Sequence, residues 1–285
     1  MWGLDRMANP SIVAAQAHPA AVTTTLKPMN PNLPSFAVLA PNSPWRACRW
    51  LAHRGGGTLA PENTLAAFRL GHHHGCKAFE CDVKLSADGV AFLMHDTTLD
   101  RTTDGSGVGG DLAWAELAAL DAGSWHSTAF AGEPIPTLQT IAQFCIANGS
   151  LLNIEIKPTS GTEVLTGQRV AAEAARLWRG QASLPLLSSF SVQALAAARD
   201  SSPGLLRALL LDALAPGWFD KAQALGCIAV VTDFALVDAG WVERLHAAGL
   251  LAMAYTVNDA QAAERLFGWG VDALFTDAVD TLTSR

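Results

Sequence analysis

From about position 50 onward, short runs of apolar and β-branched residues alternate with longer stretches whose apolar positions recur every three or four residues, the pattern of a parallel α/β sheet. The runs predict nine strands, over residues 50–53, 78–83, 90–95, 151–156, 186–189, 205–211, 227–232, 250–257 and 273–276. Two parallel neighbours need a crossover of about a dozen residues. Only Lys84-Leu85-Ser86-Ala87-Asp88-Gly89 separates the second run from the third, and its Asp-Gly is a hairpin signal. The third run is therefore expected to return antiparallel to the second. Eight strands remain, interleaved with helical segments such as 64–74, 168–179, 192–199, 238–248 and 260–267, and eight such units predict a closed (β/α)8 TIM barrel. The stretch 97–150 exceeds one crossover, and its glycine-rich start and two helical pieces, 114–120 and 138–147, predict an inserted cap. Sites in such barrels lie at the C-terminal ends of the strands.

The first 49 residues differ. Pro10, Pro19, Pro28, Pro31, Pro34, Pro41 and Pro44 interrupt them and no period is sustained, so they read as a flexible proline-rich tail before a barrel domain over 50–285. Asp5 and Pro10 break the basic and apolar regions a secretory signal needs. No run approaches the roughly 20 apolar residues that span a bilayer, so a cytoplasmic protein without stable membrane insertion is expected.

With half its residues hydrophobic and 16% charged, the chain can bury a large core. Its formal charge of −7, with Lys and Arg outnumbered 19 to 26, argues against a nucleic-acid partner. Cys48, Cys76, Cys81, Cys145 and Cys227 are odd in number and lack C-x-x-C spacing, which suits reduced packing thiols.

Polar residues at the strand ends carry the candidate chemistry. His53 and Arg54 end the first strand; Glu80 and Asp82, two apart on the second, point to one side, which in a barrel is the interior. Two carboxylates aimed together repel unless a cation sits between them. His95 ends the return arm and is expected beside Glu80, while Glu155 and Lys157 share a face of the fourth run. Alone, an E-x-D on a strand is usually a solvated face and a strand-end His usually a satisfied hydrogen-bonding group. Here all seven fall where the barrel independently places a site. Three carboxylates without a thiolate or a His pair favour one hard divalent cation, Mg²⁺ or Ca²⁺, over zinc. Arg54 can fork onto phosphate oxygens, Lys157 can neutralise another, and two His can share general acid and base work, so the set suits phosphodiester cleavage.

Other features weigh less. Consecutive residues on a helix fan out by about 100°, so His72-His73-His74 cannot converge on one ion. Gly105-Ser106-Gly107-Val108-Gly109-Gly110 lacks the Gly-Lys-Ser/Thr ending of a phosphate loop. Pro61-Glu62-Asn63-Thr64 reads as a helix start capped by Asn63 or Thr64, with Glu62 bonding the His53-Arg54 turn. Trp125, Phe190, Trp218 and Tyr255 are candidates for an apolar wall of the site, though each is more often plain packing.

Taken in order, His53-Arg54-Gly55, Pro61-Glu62-Asn63-Thr64, Glu80-Cys81-Asp82, His95-Asp96, Leu99-Asp100-Arg101-Thr102-Thr103, Asn153-Ile154-Glu155-Ile156-Lys157-Pro158, Tyr255-Thr256-Val257-Asn258 and Phe275-Thr276-Asp277 resemble the glycerophosphodiester phosphodiesterase family. Asp121-Ala122-Gly123-Ser124-Trp125 and Pro185-Leu186-Leu187-Ser188-Ser189-Phe190 look closest to its cytosolic bacterial UgpQ-type form. Many relatives carry Trp where Tyr255 stands, and UgpQ-like forms tolerate Tyr. The resemblance implies a divalent ion on Glu80, Asp82 and Glu155, His53 and His95 as the acid/base pair, and phosphate contacts from Arg54 and Lys157. It also implies substrate-side roles for Glu62 and Tyr255, and glycerophosphodiesters such as glycerophosphocholine and glycerophosphoethanolamine as small-molecule substrates, cut through a cyclic phosphate to sn-glycerol 3-phosphate and an alcohol. Two further readings stay open: a lyase-type phospholipase or lysophospholipase D on lipids, which predicts exposed apolar residues at the rim, and a non-catalytic phosphodiester-binding protein.

Overall fold

A computed structural model describes residues 43–283, so the proline-rich segment up to position 42 lies outside the described residues. The rest of that segment is part of the fold. Helix α1 (Pro44–Ala47) carries a proline at its start, where the missing N–H costs nothing, and buries Trp45 to 2% exposure with its indole N–H donated to the Leu184 carbonyl at 3.1 Å. The order therefore begins before position 50. Proline spacing marked this stretch as tail because a helix-starting proline and a linker proline look alike in sequence.

The strands are β1 (Trp50–Ala52), β2 (Ala78–Leu85), β3 (Ala91–Leu93), β4 (Leu151–Ile156), β5 (Leu186–Ser189), β6 (Leu206–Leu211), β7 (Ala229–Asp233), β8 (Leu251–Tyr255) and β9 (Ala273–Thr276). Their order is β1-β9-β8-β7-β6-β5-β4-β2, with β1 also paired to β2, so eight parallel strands close a TIM barrel. The third strand lies antiparallel on β2, with Val83 opposite Leu93 and Leu85 opposite Ala91, as the Asp88-Gly89 turn predicts.

Strand alternation sorts side chains into two layers. Leu51, Ala78, Leu151, Leu186, Leu206, Ala208, Val231, Met253 and Phe275 pack inside the barrel over Trp45. Phe79, Cys81, Val83, Leu152, Ile154 and Ile156 point outward against α2 (Leu65–His73), the cap helix α4 (Leu138–Ala147) and α5 (Glu163–Leu177). The same alternation turns Glu80, Asp82, Asn153 and Glu155 inward. A short helix α3 (Trp114–Leu117) and Phe92, Met94, Leu99, Ala122 and Ile135 form the separate core of the cap.

Helices α6 (Val192–Ser201), α7 (Trp218–Ala224), α8 (Ala239–Ala247), α9 (Ala260–Gly268) and α10 (Val279–Leu282) complete the outer ring. Two helical expectations change. The helix after β4 starts at Glu163 rather than 168, because Val164 and Leu165 in its first turn are half exposed and mask the apolar stripe. Trp218 does not line the mouth: it lies in the outer layer against Trp241 and Phe219, with the Arg244 guanidinium 5.2 Å over its ring. Among the described residues no helix is long and apolar enough to cross a membrane.

Candidate active site

The turn after β1 builds one side of the site under backbone constraint. Gly57 has a φ of +57°, and a Cβ there would lie 2.0 Å from the Asp277 carbonyl oxygen, so only glycine fits. Arg54 is held at a φ of +51°, unusual for a side-chain-bearing residue, while its amide donates to Glu80 Oε2 at 2.9 Å. His53 presents Nδ1 to Asp277 Oδ1 at 2.7 Å. Asn258 fixes that carboxylate in turn, donating through Nδ2 to Oδ2 at 3.0 Å and accepting from the Asp277 amide at 2.8 Å.

Three inward carboxylates form the centre. Glu80, Asp82 and Glu155 each offer an oxygen within 4.8 Å of the others, and Glu80 and Asp82 are 2% and 1% exposed. Asn63, itself at a φ of +58°, clamps Asp82 from both ends, donating to Oδ2 at 2.8 Å and accepting from its amide at 3.0 Å. Lys157 Nζ bonds Glu155 at 2.9 Å and lies 3.4 Å from Asp82; Arg54 Nε lies 3.5 Å from Asp82. Burial raises all three carboxyls, but at Asp82 the charges of Lys157, Arg54 and His95 outweigh it and bring the group down to about 2. Glu80, buried beside Asp82, is pushed up to about 8, and Glu155, for the same two reasons, to about 7. Glu80 Oε1 is buried with no hydrogen-bond partner. A buried orphan oxygen and two repelling carboxyls are what a hard divalent cation would satisfy, so the donor set fits Mg²⁺ or Ca²⁺.

The return arm supplies the other side. The Met94 amide donates to the Asp82 carbonyl at 3.0 Å, which brings His95 back to the cavity that Glu80 lines, where the charge of Asp82 acts on it. His95 Nδ1 meets Asp96 Oδ1 at 2.7 Å. Both histidines thus have a carboxylate behind Nδ1, leaving Nε2 for a substrate. Burial depresses both; at His53 the Asp277 hydrogen bond and Glu80 outweigh it and raise the group, whereas His95 stays lowered with Arg54 and Lys157 nearby. Glu62 gives both oxygens to guanidinium groups, accepting from Arg54 at 2.8 Å and from Arg101 at 2.7 and 2.8 Å.

These groups open into one cavity of about 190 Å³, lined by His53, Arg54, Glu80, His95, Glu155 and Lys157 on one side and by Phe190, Leu210, Tyr255 and Phe275 on the other. His53, Arg54, Glu80, His95, Glu155, Lys157 and Tyr255, together with the wall candidate Phe190, line the cavity, and Asp82 and Glu62 bond to residues that line it. Trp125 stands in a neighbouring cleft with His53, Arg54, Glu62 and Asp277. Sequence reasoning gave Asn63 only a candidate helix-capping role and assigned none to Asp277, Asp96, Asn153, Asn258 or Arg101. Asp277 follows β9 directly, so the strand-end rule that found His53 applied there too. Asn63 had one signal, the tolerance of asparagine for positive φ.

A volume of this size suits a small ligand, and the cation-ready carboxylates, two cationic side chains and two backed imidazoles suit an anionic one. The family model for the "Glycerophosphoryl diester phosphodiesterase family" matches residues 53–281. A glycerophosphodiester phosphodiesterase of Caldanaerobacter subterraneus subsp. tengcongensis is 32% identical over 234 residues, covering 81% of this chain and 95% of that one. An Oleispira antarctica phosphodiesterase solved with the product sn-glycerol-3-phosphate superposes with a TM-score of 0.77 at 35% identity, over 83% of this chain and 95% of that one. A glycerophosphodiester phosphodiesterase from Agrobacterium tumefaciens superposes at 0.68 with 30% identity, over 82% of this chain and 97% of that one. With the match running from His53 to past Asp277, the chain belongs to the glycerophosphoryl diester phosphodiesterase family.

Proposed function

We propose that this protein hydrolyses glycerophosphodiesters such as glycerophosphocholine and glycerophosphoethanolamine to sn-glycerol 3-phosphate and the alcohol, using one divalent cation and the His53/His95 pair. The observation that carries this reading is that two aspartate-backed histidines, Arg54 and Lys157 surround a cluster of three carboxylates in one small cavity. Arg54 and Lys157 bind and orient the phosphodiester. One imidazole takes the proton of the substrate's glycerol 2-hydroxyl as it attacks phosphorus, the other protonates the departing alcohol, and their roles exchange when water opens the cyclic phosphate. When bound by Glu80, Asp82 and Glu155, the cation supplies charge stabilisation to the phosphoryl oxygens. The five cysteines are all free thiols, which supports a cytoplasmic setting.

Release of sn-glycerol 3-phosphate from both diesters by the purified protein, assayed with Mg²⁺, Ca²⁺ or EDTA, is the test. Turnover that survives EDTA removes the cation from the reading, and no turnover of either diester under any condition removes the substrate class. One observation favours a lipid substrate instead: Val164, Leu165, Phe190, Val192 and Leu214, on the connections after β4, β5 and β6, are exposed apolar residues. A lysophospholipid in the same assay, cleaved faster than glycerophosphocholine, would select that alternative.

A further inference from the structure

Arg101 belongs to the cap, not to the barrel, yet one guanidinium ties together the two arms of the site. Its Nε and Nη2 fork onto Asp96 at 2.6 and 3.1 Å, and its Nη1 and Nη2 fork onto Glu62 at 2.7 and 2.8 Å. Asp96 is the carboxylate behind His95, and Glu62 is the carboxylate that accepts from Arg54. The backbone that delivers Arg101 is itself anchored: the amides of Thr102 and Thr103 and the Thr103 hydroxyl all donate to the carbonyl of Leu99, whose side chain is fully buried in the cap core. We propose that Arg101 is a positioning residue, holding Asp96 against His95 and Glu62 against Arg54 so that the acid/base imidazole and the phosphate-binding guanidinium keep a fixed mutual geometry. The inference rests on the proposed phosphodiesterase reading for its kinetic test, though not for its spectroscopic one.

Geometry makes arginine necessary here. Asp96 and Glu62 come from different segments, both partly open to water, and each leans on Arg101 for two hydrogen bonds. An ammonium can touch two carboxylates but lacks the planar set of N–H groups that gives each of them two hydrogen bonds in a fixed geometry. An ion pair as exposed as this adds little to folding, so its loss is expected to leave the barrel intact while freeing both carboxylates to rotate. That difference separates a positioning role from a structural one.

The experiment compares Arg101→Gln, Arg101→Lys, Asp96→Asn/Glu62→Gln and the triple variant Arg101→Gln/Asp96→Asn/Glu62→Gln with the natural protein, all full length, on glycerophosphocholine with saturating Mg²⁺. Arg101→Gln is expected to lower kcat roughly 10–100-fold, and Arg101→Lys to recover little of it. Because Arg101 acts through both Asp96 and Glu62, the triple variant is expected to fall within about 3-fold of Asp96→Asn/Glu62→Gln. Losses that multiply in the triple variant overturn the proposal, as does a natural kcat in Arg101→Lys or a kcat loss that tracks a lowered melting midpoint. Imidazole ¹⁵N spectra, with His95 assigned by its disappearance in His95→Gln, need no substrate. The natural protein is expected to hold neutral His95 as the Nδ1–H tautomer and Arg101→Gln to show a mixture. If the natural protein turns over neither glycerophosphodiester, the proposed function falls, and the spectra still decide: an unchanged His95 signal in Arg101→Gln overturns the positioning role.

Discussion

The two halves of the barrel mouth are built from opposite materials. Strands β1, β2 and β4 with the return arm contribute His53, Arg54, Glu80, Asp82, His95, Glu155 and Lys157, whereas β5, β6 and β8 face the same cavity with Phe190, Leu210 and Tyr255. On the apolar side the Phe190 and Tyr255 rings meet edge to face at 5.9 Å, and the Tyr255 hydroxyl is used up on the Leu211 carbonyl at 2.9 Å. The comparison teaches that the two halves serve each other. An apolar wall lowers the local dielectric and strengthens every charge interaction opposite, while on the charged side their own burial, with the charge of Asp82 beside them, makes Glu80 and Glu155 resist ionisation.

The strongest way to break that comparison is to make the charged half neutral. Glu80→Gln removes a proposed cation ligand, and activity is expected to drop about 10³-fold or more. In EDTA the same variant is expected to melt no lower than the natural protein, because it replaces a buried carboxyl that stays protonated up to about pH 8 with a neutral amide of the same shape. Activity assays beside thermal melts check both halves of this statement; a Glu80→Gln protein that loses activity only by unfolding would refute it. Next in size are His53→Ala and His95→Ala, each expected to cost about 10²–10⁴-fold in kcat with KM changed far less, measured by steady-state kinetics.

Smaller, and specific to charge, is the pH response of stability. Glu80 keeps its proton up to about 8 and Glu155 up to about 7, against an ordinary 4.5, so between about pH 4.5 and 8 the folded chain binds more protons than the unfolded one. Their contribution to stability is full below 4.5 and drains as pH rises through that window. Asp82 has the opposite sign, contributing above its ordinary 3.8 and losing that contribution as pH falls toward about 2. Melting midpoints in EDTA are therefore expected to decline from about pH 5 to 8, and a saturating divalent cation, which competes with those protons, to flatten the decline. Equal slopes with and without the cation would separate the carboxylate cluster from metal binding.

How far the two halves were legible in sequence follows from their chemistry. Strand alternation and an Asp-Gly turn suffice to turn Glu80 and Asp82 inward and to fold the His95 arm back, because period-2 geometry and turn type act locally. Partners that meet only on barrel closure are different: Asp277 reaches His53 across 224 positions, and no local period links them. Asn63 and Arg54 depend on positive-φ turns that only the assembled site holds in place. The apolar half was the least readable. Trp218 and Tyr255 look equally suited to a wall in sequence, and only the face of the strand or helix they occupy sends one to the outer layer and the other to the cavity.

The gentlest test works on that apolar half. Phe190 is 42% exposed, lies 5.9 Å from Tyr255 and has Lys157 Nζ 5.8 Å over its ring, so it is an edge of the wall rather than its foundation. Truncation to alanine opens the cavity to water on one side without leaving a sealed void. The expected result is a rise in KM of about 3–10-fold, from about 1 kcal/mol of lost apolar contact, with kcat reduced less. Tyr255→Phe keeps the ring and gives up only the bond to the Leu211 carbonyl, so a change below about 3-fold in either constant is expected. If Tyr255→Phe instead lowers kcat as much as a histidine variant does, the phenol takes part in the chemistry, and the mouth is not divided into a charged half that reacts and an apolar half that encloses.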